Sequence, residues 1–480
     1  MIRHIFKLKK TALFALLPML MIGMNARAQE VITLQKAVNL ALQNNLTIKQ
    51  SQFTEALANE DYKQSKNNLL PSLTVNPQAS YNFGRSPNLT TYAYTSQSFL
   101  YINGQASVSV TLYQGGQLRN QITENKLLLD ADKSSTEKVK NDLVLNVVTA
   151  YLQILTNQDL VAADKQQVQI ANITLDRTQK NFDAGNQTLA DLSQSKAGLS
   201  TADYNLTTAQ NQLDISILAL KQYMEMDPNT DITIERPDIS KLTDVKTVFD
   251  ATDVIKTAIS INPDIKLAQL QEQSYLQAIK VAKGSYYPVV SLFGGVGSNY
   301  SSINQNIVGT TLVQEQIGTV TGTNTPVTGS FQSPVYSPTY SFTNQFGNNL
   351  NESVGVSLQI PIFNKFTART AVRKAKLNYE NSQVATQLAK DVLSKTITQA
   401  VLDVQAAEKQ YISAQQTYEA NKAAFNTIQQ RYNVGLVNSL DYNTSLTNYN
   451  KAETDMIEAK YQVVFRSKVI DYYLGNQIQL

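Results

Sequence analysis

The 480-residue sequence contains no cysteine, no tryptophan and one histidine, His4. Without Cys no disulfide can staple the fold, and without a second His the usual zinc, haem and iron–sulfur ligand sets are excluded. Triads built on Ser-His or Cys-His go with them. Charge is scarce as well. Asp, Glu, Lys and Arg make up 16% of the chain, against roughly 25% in ordinary globular proteins. Asn, Gln, Ser and Thr take their place, so the chain is polar without being charged. No cofactor or metal is expected.

Basic residues gather at the start. Arg3, Lys7, Lys9 and Lys10 precede an apolar run from Ala12 to Met24, which closes on Ala26-Arg27-Ala28. A basic start, a short apolar middle and an A-x-A end predict a cleaved secretory signal over residues 1–28. A Cys at the next position would indicate a lipid anchor; Gln29 stands there instead. Residues 1–28 hold five of the 41 Lys+Arg and none of the 38 Asp+Glu, which leaves 36 against 38 beyond them, a net −2. That balance removes the electrostatic case for nucleic-acid binding.

What the chain does have is an internal repeat. Asn45-Leu46-Thr47-Ile48-Lys49 lines up with Asn262-Pro263-Asp264-Ile265-Lys266, and Leu70-Pro71 with Tyr287-Pro288, at an offset of 217. Leu112-Tyr113-Gln114 matches Ile362-Phe363-Asn364 at an offset of 250, which still holds at Gly185 and Gly435, Asp191 and Asp441, and Tyr223 and Tyr473. The 33 extra residues enter between Pro288 and Ile362. The expected organisation is a first repeat over 29–227, a linker over 228–252 carrying Pro228 and Pro237, and a second repeat over 253–480.

Each repeat carries two segments of period two, which predict strands at about 72–84 and 101–113, then 288–300 and 350–362. Leu73, Val75, Ala79, Tyr81 and Phe83 alternate with polar residues, as do Ile102, Ala106, Val108, Val110 and Leu112. Val290, Leu292 and Val296 do so less cleanly; Val354, Val356, Leu358, Ile360 and Ile362 do so well. Tyr81, Phe83, Phe99 and Tyr101 fall near one end, and Tyr113, Tyr286, Tyr287 and Phe363 near the other. Paired aromatic girdles are what a membrane-crossing barrel needs, although a soluble sandwich alternates too. Residues 301–349, with Glu315 as their one charge, read as a long outer loop.

The remainder reads as helix. Leu143, Val147, Ala150, Ile154, Val161, Val168, Ala171, Leu175 and Phe182 keep a 4-3 alternation, repeated from Leu393 to Tyr432. A period of 3.5 predicts left-handed coiled-coil packing. No proline interrupts 116–184 or 366–434, so each segment would reach about 100 Å. Gly185 and Gly435 end these runs, and a second helix returns from each.

Four strands cannot close a barrel, and an open sheet edge cannot face lipid, so a membrane-crossing sheet requires several copies. Two would give eight strands and three twelve. A barrel mouth joined to a polar helical tube is a conduit.

The chain resembles the TolC-type outer membrane efflux proteins. The marks are the duplicated halves, Thr33-Leu34 leading to Ala37, Leu40-Ala41 and Asn44-Asn45, Leu70-Pro71-Ser72-Leu73, Pro361-Ile362-Phe363-Asn364, and the two glycine turns followed by Leu-Asp. The resemblance implies a mainly helical homotrimer with a twelve-stranded membrane β-barrel and a twelve-helix periplasmic α-barrel. It further implies a Gram-negative outer membrane, a periplasmic adaptor and an inner-membrane pump as partners. Two departures stand out. Lys365-Phe366 replaces a glycine that Gly115-Gly116 keeps in the first half, and Val437 replaces an arginine of some relatives. Gly185 and Gly435 are expected at the periplasmic tip. Asp191 and Asp441, in the first turn of each returning helix, are candidates for a cation-attracting ring, and equally for plain helix N-terminal acids. Tyr432 and Asp191 match a family pair that holds the tip shut. The other readings are a non-conducting adhesive stalk, and an enzyme using Asp130 with Asp132 or Asp159 with Asp164, which a solvated helix face explains more simply.

Overall fold

The computed structural model describes residues 30–87, 93–236, 246–337 and 340–476. The expected signal segment and part of the linker, with Pro237, lie outside the described residues.

The helices recur in matched lengths. The first half has α1 (Leu34–Asn44), α2 (Leu46–Asn67), α3 (Gln117–Asp183) and α4 (Leu189–Tyr223). The second has α5 (Ala251–Ile261), α6 (Pro263–Gly284), α8 (Thr367–Asn433) and α9 (Ser439–Tyr473), with a short α7 (Phe342–Asn348) before α8. Both α3 and α8 are 67 residues long, and both α4 and α9 are 35. At 1.5 Å per residue, 67 residues make about 100 Å of helix.

One compact unit comprises Thr54–Lys133 and Leu267–Gln387. Its centre is a four-stranded antiparallel sheet of β2 (Ser72–Asn82), β5 (Phe99–Gln114), β7 (Val289–Ser301) and β10 (Asn351–Gln359), in the order β10-β7-β5-β2. The halves therefore join through β5 and β7, and β2 and β10 are the outer strands. Register sorts the side chains by chemistry. Leu73 pairs with Val108, Val75 with Ala106, Val110 with Leu292, and Val356 with Leu292 from the other side. The opposite face carries Thr74 with Ser107, Asn76 with Gln105, and Asn103 with Asn299. The apolar face is uncovered at Leu73, Val75, Val354, Val356 and Leu358, all more than half exposed.

Residues 301–349, which the sequence reads as a long outer loop, carry secondary structure of their own. They form a hairpin of β8 (Ile307–Thr319) and β9 (Pro326–Tyr336), then α7. Threonine and valine supply β-propensity there, but Gly, Ser and Gln interrupt the alternation and mask the period. Gly322 and Asn324 turn the hairpin at φ +99° and +54°. A smaller hairpin joins β3 (Arg85–Pro87) to β4 (Tyr94–Ser96).

Among the described residues, the other unit comprises 30–53, 134–236, 246–266 and 388–476. Its core packs Val147, Tyr151, Ile154 and Leu155 of α3 against Ala37, Ala41, Leu220 and Met224. Tyr151 donates from its hydroxyl to the carbonyls of Glu235 (2.7 Å) and Ile32 (3.2 Å), tying down the parallel pair β1 (Glu30–Ile32) and β6 (Ile232–Ile234). A second cluster sets Leu393, Ile397, Val401 and Val404 of α8 against Val254, Ala258 and Ile470. Of the 4-3 positions read from the sequence, Val147, Ile154, Ile397 and Val404 are fully buried, whereas Val168, Leu175 and Phe182 are half-buried, and Tyr151 and Leu155 join the core from outside the pattern. Among the described residues, no helix is long and apolar enough to cross a membrane.

Candidate functional site

Both helical hairpins turn through the same motif. At the end of α3 the Gly185 N–H donates to Phe182 O and the Asn186 N–H to Asn181 O; at the end of α8 the Gly435 N–H donates to Tyr432 O and the Leu436 N–H to Arg431 O. These are Schellman caps, and each puts its glycine at φ +77°. A Cβ at either glycine would meet no atom within 4 Å, so the dihedral alone demands glycine. The returning helices start on side-chain caps. Thr188 and Asp191 form a reciprocal capping box, with the Thr188 N–H donating to Asp191 at 3.1 Å and the Asp191 N–H to Thr188 Oγ1 at 3.2 Å. The Asp441 N–H donates to Asn438 Oδ1 at 2.8 Å.

The two turns also bond to each other. Ser439 Oγ, at the start of α9, donates to the Asp191 carboxylate of α4. The Ser439 and Thr188 hydroxyls hold that carboxyl below the usual aspartate range. Gln187 Nε2 donates to the Tyr432 hydroxyl at 3.1 Å. The Tyr432 ring stacks on Tyr442 with centroids 4.5 Å apart, and Phe425 completes the cluster. Arg177 of α3 crosses to the end of α8. Its guanidinium donates to Asn433 Oδ1 and to the carbonyls of Tyr432 and Asn433, and lies 5.3 Å from the centroid of the Tyr432 ring. A cation on the last carbonyls of a helix is favourably placed against the helix dipole.

Tyr432 and Asp191 thus join the two turns through separate partners, Gln187 and Ser439. Asp441 is exposed in the first turn of its own helix. Arg177, Gln187 and Ser439 carry no local sequence signature of this role. Their partners are roughly 250 residues away, and no spacing rule spans that distance. A cation does serve the second turn, but from α3 and not from position 437.

The turns expose apolar side chains. Leu189, Val434, Leu436 and Leu440 are each about two-thirds exposed or more, with Leu436 at 76%. Further along the helices, Glu453 is buried beside Tyr449, whose hydroxyl donates to it at 3.3 Å; desolvation pushes the Glu453 carboxyl up. Asp159 takes Arg236 at 2.6 Å and the Tyr461 hydroxyl at 2.8 Å, a structural ion pair and not a catalytic dyad.

A family described as "Outer membrane efflux protein" matches residues 37–224 and 254–476. Toxin and drug export protein A of Aggregatibacter actinomycetemcomitans is 24% identical over 75% of this chain and 70% of its own length. Outer membrane protein TolC of Salmonella enteritidis is 21% identical over 92% of this chain and 83% of its own. Among solved structures, the CmeC outer membrane channel of Campylobacter jejuni superposes with a TM-score of 0.73 at 19% identity, covering 92% of this chain and 85% of that one. CusC gives 0.74 at 14% identity, covering 92% of both.

Proposed function

Because the chain belongs to the outer membrane efflux protein family, we propose that it is the passive exit duct of a tripartite export system. The family consists of transport conduits, not enzymes, placed in the outer membrane of Gram-negative bacteria with the helical part in the periplasm.

The observation that carries the finer reading is the open sheet. β2 and β10 are its outer strands, and its uncovered face is apolar. In lipid each unsatisfied backbone group costs several kcal/mol, so the edges must close on other copies. Three copies give a homotrimeric twelve-stranded barrel, and their α3, α4, α8 and α9 give a twelve-helix tube. Residues 29–227 and 253–480 act as its two repeats, joined by 228–252. Gly185 and Gly435 form the periplasmic tip. The exposed Leu189, Val434, Leu436 and Leu440 offer a periplasmic adaptor an apolar foothold, and the adaptor links the duct to an inner-membrane pump. Ser439 with Asp191, Gln187 with Tyr432, and Arg177 with the end of α8 hold each protomer's two turns together, as a closed tip needs. Three Asp441 carboxylates, with three from Asp191, ring that constriction and attract cations. One relative is named for export of toxins and drugs, and the pump, not the duct, selects the cargo.

The test is current through planar bilayers. Purified protein should conduct ions, and Asp441→Asn should lower cation selectivity. A membrane-inserted protein that never conducts is a stalk, and the duct reading fails.

A further inference from the structure

Helix α7 lies on the apolar face of the sheet. A Cβ at Gly104 would meet the Phe346 ring at 3.3 Å, and Ser298, the strand partner of Gly104, donates from Oγ to Phe346 O at 2.5 Å. Tyr300, opposite Ile102, meets Phe342 edge-on with centroids 5.3 Å apart, and Phe342 stacks on Phe346 at 5.3 Å. Gly104, Ser298, Ile102 and Tyr300 share the face that carries Ala106, Val296, Val108 and Val110.

The helix also seals an edge. β10 stops pairing with β7 at Asn351, opposite Gly297, while β7 runs on to Ser301. There the Gln345 side chain takes the place of a strand. Its Oε1 accepts from the Ser301 N–H at 3.0 Å and its Nε2 donates to Ser301 O at 2.9 Å, with Tyr340 O as a further acceptor at 3.0 Å. Gln345 is 0% exposed. Water could satisfy such groups; lipid cannot. Residues 340–350 carry no charge, Phe342 is 47% exposed, and the polar Thr343 and Asn344 are exposed.

We propose that α7 is an interfacial anchor, lying on the outside of the barrel at the boundary between headgroups and acyl chains of the outer leaflet. Its two phenylalanines join Tyr300 and Tyr81 in the outer aromatic girdle, its amides face headgroups, and Gln345 removes a lipid-exposed strand edge. Aromatic rings with a polar flank favour that depth. The proposal rests on the membrane-barrel reading.

Because the chain has no tryptophan, one introduced indole reports alone. Full-length Phe342→Trp, Asn344→Trp and Val354→Trp, the last on the sheet's apolar face, are reconstituted separately into phosphatidylcholine vesicles containing lipid brominated at shallow or deep acyl positions. The expected result is at least twofold quenching of Phe342→Trp and Asn344→Trp by shallow bromines, with less by deep ones. Val354→Trp should show the reverse order. Quenching of both helix probes by aqueous iodide but not by bromines overturns the anchor and places α7 in water. Shielding from both quenchers overturns it in favour of another copy covering the helix. If Val354→Trp also escapes the bromines, the membrane reading falls with it.

Discussion

At the scale of single residues, the two paired turns are held by few groups, each placed by its helix end. Asp191 caps its own helix and accepts from Ser439 of the other turn. Its depressed pKa sets the sign of any pH effect. The contact is present above the ordinary aspartate range and is lost as pH falls through the lowered value, so acidification acts as Asp191→Asn does. Tyr432→Phe combined with Asp191→Asn removes the Gln187 and Ser439 links together. Single-channel current through that double variant should exceed wild type at neutral pH. Equal currents would reduce both residues to turn and capping positions. Of this site the glycines and the acids were legible in the sequence because the turn motif marks them, and Tyr432 through its match to a family tyrosine. Arg177 was not, since it sits mid-pattern in α3 and its partners are on α8.

At the scale of elements, the equal helices need not have equal ends. In the first half Gly115 and Gly116 take φ +58° and +74° between β5 and α3. A Cβ at Gly115 would come within 2.4 Å of Gly284 O, so glycine is required there twice over. In the second half Lys365 and Phe366 stand 250 residues later and hold the same left-handed backbone, at φ +54° and +62°. The departure noted in the sequence therefore changes the side chains and not the turn. A non-glycine residue in that region costs about 1–2 kcal/mol, and glycine returns about 0.5–1 kcal/mol of that through chain entropy. Lys365→Gly should therefore stabilise the fold by about 0.5–1 kcal/mol, read as a higher thermal-unfolding midpoint. An unchanged or lower midpoint would mean that the Lys365 side chain makes a compensating contact. The hairpin β8–β9 teaches the opposite lesson. Val313 sits opposite Phe331 and Leu312 opposite Gln332, but the register shifts between Ile307 and Gly309 and again between Gln316 and Gly318, and no clean period of two runs through its strands.

At the scale of the whole molecule, the proposed duct depends on edges that a single chain cannot close. The absence of cysteine makes that testable. Thr74→Cys on β2 combined in turn with Ser353→Cys, Gly355→Cys or Ser357→Cys on β10 scans the register between neighbouring copies. All four positions lie on the polar face. At least one pair should oxidise to a covalent trimer in membranes, while products that stop at dimers would count against three-fold closure. The sequence by itself determined the duplication, the long proline-free helices, their glycine ends and the alternating strands. Each of those is written in local periods and in φ-restricted residues, which act within a turn or two of the chain. Only the tertiary structure decided that β5 and β7 join the halves, that Arg177 reaches the end of α8, and that Gln345 stands in for a missing strand. Those choices are made by backbone groups and side chains that must be paired once buried, and their partners lie far along the chain.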